Sequence, residues 1–172
     1  MSPWTERPSE VANLLNPAFA GALLRTSVEG YFEETQNGMP FEVAFLVLPL
    51  CLHSGTATRL PASAAATPLH TWLQREENRD VLISFADRVV ALVPFTREAI
   101  LFASNRAVLT FDDTSRLRAG TASWPKLTSY SNSYRNSGAE VKEAIRQAEF
   151  VGRWIALAGT TEFVFTILGV RP

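Results

Sequence analysis

From Phe41 to His53 the chain is apolar on nearly every side: Val43, Phe45, Leu46, Val47, Leu48, Leu50 and Leu52 leave no polar face. A segment that is apolar all round is buried all round. Pro49 would remove a hydrogen bond from a central strand and bends a helix, so the run predicts a buried, kinked helix. Its longest apolar stretch, Val43–Leu52, is ten residues, and a bilayer span needs about 20. The segment must therefore sit inside a water-soluble core, and the rest of the chain must wrap it. The wider run Phe41–Pro61 and the closing stretch Ala148–Pro172 are both dense in apolar side chains. Neither carries a constellation able to do chemistry. A chain built this way holds something rather than converts it.

The remaining segments supply the wrapping. Asn16-Pro17 is a helix start, because Asn caps free amides and proline is tolerated at the first helical position. Phe19, Leu23, Leu24, Ser27, Val28, Tyr31 and Phe32 then recur at helical spacing. Gln36-Asn37-Gly38 should end that helix, Asn and Gly being the residues that accept positive φ. Gly55–Ala66 reads as a loop. Thr67-Pro68 repeats the cap-then-proline start ahead of Leu69, Trp72 and Leu73. Val81, Leu82, Phe85, Val89 and Leu92 form an amphipathic stripe that Pro94 interrupts, and a further helix is predicted from Phe95-Thr96. Val108–Phe111, the turn Asp112-Asp113-Thr114-Ser115 and Leu117 read as a hairpin. Thr121–Gly138 predicts an irregular, mobile connection. Val141, Ala144, Ile145, Ala148, Val151, Gly152, Ile155 and Ala158 give a helical stripe whose small members allow another helix to approach closely. Thr160–Leu168 is a last apolar segment, helix or strand. The fold class is mainly α with a small β-hairpin. A single compact domain, 1–172, is predicted, with a candidate winged-helix-like unit around residues 80–120.

Composition decides several function classes. Sixteen basic residues stand against seventeen acidic ones, which argues against a strongly basic nucleic-acid binder. Charged residues are only 19% of the chain, below the ~25% usual for a soluble domain. Low charge near neutrality favours association and hints at an obligate subunit. Cys51 is the one cysteine, so no internal disulfide or thiolate cluster forms, in keeping with a reducing cytoplasm. The start MSPWTERPSEVAN shows no apolar core after a basic stretch, so no signal peptide is predicted. The expectation is a cytoplasmic protein with no membrane association.

The chemistry-bearing residues are few. The histidines are His53 and His70. Cys51 and His53 lie two apart and share no helix face, and zinc takes about four ligands. A nucleophile–base pair of Cys51 or Ser54 with His53 or His70 would make a small hydrolase, but no motif supports it. Asp112-Asp113 reads as a hairpin turn and Glu33-Glu34 as a solvated helix end. No phosphate loop, GxGxxG or HExxH occurs. The sequence predicts no catalytic set, no cofactor and no metal site. A rival reading is a stand-alone winged-helix DNA-binding regulator. It would place Arg97 and Arg106 on a recognition helix and Arg116 and Arg118 on the wing, where they grip phosphates. Glu98, Asp112 and Asp113 oppose it. Trp4 and Trp124, outside the apolar stripes, are candidate interface anchors.

Four segments in order carry a family resemblance: RPSEVANLLNPAFAGALL (Arg7–Leu24), GMPFEVAFLVLPLCLH (Gly38–His53), FADRVVALVPFTREAILF (Phe85–Phe102) and AEFVGRWIALAG with its closing LGVRP (Ala148–Pro172). Together they resemble the middle component of three-component ABC systems, the Lamassu-type anti-phage systems of bacteria. In that family a Thr-Arg pair precedes Leu-Pro after the histidine. Here His53 leads to Thr56-Ala57, and the arginine stands at Arg59, just before Leu60-Pro61. The resemblance implies a noncatalytic adaptor between an SMC/Rad50-like ABC ATPase and an effector, often a nuclease. DNA would be reached indirectly, through the complex. The regions expected to touch partners are Arg7–Phe19, Arg59 and Arg153–Pro172, with Arg7, Arg153 and Arg171 as the charged contacts beside Trp4 and Trp124.

Overall fold

The computed structural model describes residues 16–122 and 139–171. Trp4, Arg7, Trp124 and all but the first two residues of the connection Thr121–Gly138 lie outside them. The first helix, α1, runs Pro17–Thr35. The Asn16 side chain accepts a hydrogen bond from the Ala18 amide at 2.8 Å, and Pro17 occupies the first turn, as the sequence predicts. The helix ends on Gln36 rather than on Asn37 or Gly38: Gln36 takes the left-handed conformation, φ 56°. Gly38 serves a different need. A Cβ there would lie 2.7 Å from the Arg116 Cβ and 3.1 Å from the Leu117 carbonyl. The glycine makes room for a strand.

A 3-10 turn, Phe41–Val43, leads into α2, Ala44–Cys51, with Pro49 inside the helix. Leu46, Val47, Leu48 and Leu50 are wholly buried, and α2 packs on α1 and on two later helices. The apolar run thus forms the centre of the core. The expected loop after it begins with a short helix, α3, Ser54–Ala57. Next come α4, Leu69–Leu73, and a 3-10 segment, Glu76–Leu82.

The helix that follows corrects the helix-turn-helix expectation. α5 is continuous over Phe85–Ser104, with Pro94 in its interior. The break lies earlier, at Ile83-Ser84, where Ser84 takes φ 57°. Pro94 ends nothing because it sits on the exposed side of α5 while Val89, Thr96, Ala99, Ile100 and Ala103 hold the other side in the core. Val90, whose carbonyl the proline cannot serve as donor, is itself exposed. The hairpin is as expected: β1, Leu109–Phe111, pairs antiparallel with β2, Leu117–Ala119. Met39 adds a bridge, exchanging backbone bonds with Leu117 at 2.9 and 2.8 Å.

The last two elements are α6, Ala139–Leu157, and α7, Thr161–Ile167, the latter capped by the Thr160 side chain. α1 is the central helix, flanked by α6 and α5. A Cβ on Gly152 would collide with the Ser27 backbone, and one on Gly30 with the Glu149 carbonyl. The small stripe read on α6 therefore brings two helices to backbone contact. Trp72 and Trp154 meet edge to face at 5.1 Å. Their indole N–H groups donate to the carbonyls of Arg59 (2.9 Å) and Thr67 (2.7 Å), which ties α4 to α6. No helix among the described residues is long and apolar enough to cross a membrane.

Candidate interaction surfaces

Arg59, expected at a partner surface, is spent inside the chain. Its Nε donates to the Gly55 carbonyl at 2.5 Å, and its Nη1 to the Glu77 carbonyl. Nη1 and Nη2 clamp the Asp80 carboxylate at 2.6 and 2.9 Å. This two-pronged pairing fixes orientation as well as charge. It pins α3 to the 3-10 segment before α5 and holds the Asp80 carboxyl below its ordinary range. Gly55 is four residues away, but Glu77 and Asp80 lie 18 and 21 residues on, so the clamp forms only when the 3-10 segment folds back against α3.

His53 lies beside this clamp. Its Nδ1 shares a hydrogen bond of 2.9 Å with the Thr56 hydroxyl. Burial, and then the charges of Arg88 and Arg59, push its pKa below 6.5, against the pull of Asp80. Arg88 donates to the carbonyls of Ile83 (2.9 Å) and Val81 (2.7 Å), which secures the left-handed turn at Ser84. Cys51 is buried in α2, and burial pushes its thiol up to about 12. A thiol held so far from ionisation is a poor nucleophile. Among the described residues, no hydrogen bond joins Cys51 or Ser54 to a histidine side chain, and no group of three His, Cys, Asp or Glu could hold a metal ion.

The arginines read as phosphate contacts do not act as one set. Arg106 lies over the Phe102 ring at 3.8 Å. Arg118 stacks on Phe32 at 4.5 Å and reaches Asp112 at 4.0 Å. Arg116 leans on the Gly38 carbonyl at 3.4 Å. Asp112 closes the hairpin turn, accepting from the Thr114 and Arg116 amides at 3.0 Å each. The hairpin's charges thus hold it to the end of α1, while Arg97 on α5 and Arg106 just after it are exposed. Arg153 joins α6 to α1 through Glu34 at 2.7 Å while remaining half-exposed. Arg171 is exposed.

One residue escaped the sequence reading. Arg25, buried to 11% side-chain exposure, pairs with Glu29 at 3.1 Å. Its Nη1 donates to the carbonyls of Val108 (3.2 Å), Gly120 (3.5 Å) and Ala122 (3.1 Å). It fastens the base of the hairpin to α1. The available signal was an arginine inside an apolar stripe with a glutamate four residues on.

Among the described residues, exposed apolar side chains include two groups. Phe41, Phe45 and Phe111 form an aromatic group, with centroids 5.2 and 5.9 Å apart, in which Phe41 and Phe111 are exposed. On α5 and just before it, Val90 is 70% exposed, Ile83 68% and Leu101 66%. Large side chains this open on a small domain mark association surfaces. No curated protein and no solved structure matches the chain. One family model does, over residues 4–172, and by that match the chain belongs to the family described as ABC-three component (ABC-3C) system Middle Component 3.

Proposed function

We propose that the chain is the noncatalytic adaptor of a bacterial anti-phage defence complex of Lamassu type. It stands between an SMC/Rad50-like ABC ATPase and a nuclease-like effector in the cytoplasm. The observation that carries this reading is the family match over nearly the whole chain. A middle component works with other components. Cys51 locked in the core and His53 tied to Thr56 support a role without chemistry. The exposed pair Phe41 and Phe111 offers rigid aromatic anchors of the kind that dominate interface energies, with the half-exposed Arg153 and the exposed Arg171 as charged contacts elsewhere. DNA is reached through the complex, since Arg116 and Arg118, on the hairpin, are held by the Gly38 carbonyl and by Phe32 and Asp112 of this chain.

The test is co-purification of the tagged chain with the products of its two neighbouring genes, with masses read by native mass spectrometry. A stable assembly containing an ATPase and the second neighbour is expected. A chain that recruits neither, and that shifts duplex DNA alone with a steep salt dependence, would overturn the adaptor reading.

A further inference from the structure

The exposed side of α5 carries a seam. Asp87, Val90, Pro94, Arg97 and Leu101 follow one another at spacings of three, four, three and four, and all five are exposed. That is the spacing of the two core positions of a coiled coil. Ile83, just outside the helix and before the left-handed Ser84, is exposed as well. Nothing in the described chain packs on it, and among the described residues neither Asp87 nor Arg97 has an ion-pair partner.

The order of residues along this seam says what fits it. Asp87 and Arg97 lie symmetrically about Leu92. So do Val90 and Pro94. If a second α5 is laid on the first in the opposite direction, with a two-fold axis at Leu92, the seam residues from Asp87 to Arg97 meet their complements. Asp87 meets Arg97 of the other copy at both ends. Val90 meets Pro94. Antiparallel coiled coils pair one core position with the other across the axis, and this register does so throughout. A two-fold contact requires one patch to be complementary to itself, and a charged pair at matching distances fixes its register. A parallel arrangement would set Asp87 against Asp87 and Arg97 against Arg97. The exposed Ala91 beside the seam leaves room for close approach, and a net charge of −1 gives two copies little to repel.

We infer that α5 is a homodimerisation helix: two copies of this chain pair antiparallel along Asp87–Leu101, with reciprocal Asp87–Arg97 ion pairs flanking a Val90–Pro94 centre. The inference stands apart from the adaptor reading, since the chain can dimerise whatever it bridges.

Charge reversal tests it on the full-length chain by analytical ultracentrifugation. A concentration-dependent dimer is expected. Asp87→Arg alone and Arg97→Asp alone should each weaken it by at least about tenfold, because each sets like charges face to face. The double variant Asp87→Arg/Arg97→Asp should restore the dimer to near its original strength. That recovery also shows that the single variants fold, and circular dichroism of all three checks it. A chain that stays monomeric at roughly 100 µM, or a dimer that both single reversals leave unchanged, overturns the inference. So does a seam substitution that abolishes capture of a neighbouring subunit by a monomeric chain, for then the seam belongs to another protein.

Discussion

The Arg25 guanidinium is placed where a small error has a large cost. It supplies the donor for three carbonyls at the hairpin base and carries a charge that Glu29 compensates. Removing it takes a donor from the half-buried Gly120 and Ala122 carbonyls, while the Val108 carbonyl still accepts from the Gly120 amide, and each such loss costs about 1–3 kcal/mol. Arg25→Met should therefore lower stability by roughly 3 kcal/mol in urea titration, and Arg25→Lys should recover only part, since an ammonium lacks the planar fork. His53 sets a second residue-scale expectation. Its folded pKa is depressed by burial and by Arg88 and Arg59, with Asp80 opposing. Between that value and 6.5 the unfolded chain binds the proton more readily, so stability rises with pH there. The contribution is whole above 6.5 and is lost as pH falls toward the folded value. Asp80, Asp112 and Glu143, whose carboxyls are held low by Arg59, by Thr114 and by Arg146 respectively, add losses of the same sign in more acid solution. Melting temperatures should thus drop on acidification from pH 7.5 to 5. His53→Gln should flatten that slope, and an unchanged slope would contradict the placement of His53.

At the scale of elements, helix contacts are set by what is missing from side chains. α1 and α6 touch through Gly30 and Gly152, and α1 meets α5 where Gly21 faces Ala99 and Ala103. Gly152→Ala should separate α1 from α6 and cost about 3 kcal/mol, read as a lower urea midpoint. Elsewhere in a helix the same change would be favourable, so a neutral or stabilising result would refute the close crossing. Pro94 shows the converse. Proline inside a helix forfeits a hydrogen bond, and α5 carries it on its exposed side, one turn after the exposed Val90.

For the whole molecule the question is which surface meets which partner. Phe41 and Phe111 sit where the start of the 3-10 turn before α2 meets the hairpin, away from the residues that lock α1, α5 and α6 together. Phe41→Ser with Phe111→Ser should leave the fold intact, at a cost of about 1 kcal/mol. Capture of a neighbouring subunit should weaken at least tenfold, measured by pull-down across a concentration series. Full capture by the double variant would move the interface elsewhere. Several arginines are engaged by the chain itself: Arg59 with Asp80, Arg118 with Phe32, Arg25 with the hairpin.

The sequence by itself determined the elements whose cause is local. The buried helix over Ala44–Cys51 follows from a run without a polar face. The α1 start follows from Asn16-Pro17, the hairpin turn from Asp112, and the close crossing of α6 from its small stripe. Family membership was legible too, in four short segments spread over most of the chain. What depended on tertiary structure could not be read from order along the chain. Whether Pro94 breaks a helix depends on which side of α5 faces the core. Whether Arg59 is free for a partner depends on where Asp80 and Glu77 arrive, and Arg25 gains its role only when residues 83 to 97 positions away close around it. A side chain's function is fixed by its nearest partners, and for long polar side chains those partners are chosen by packing.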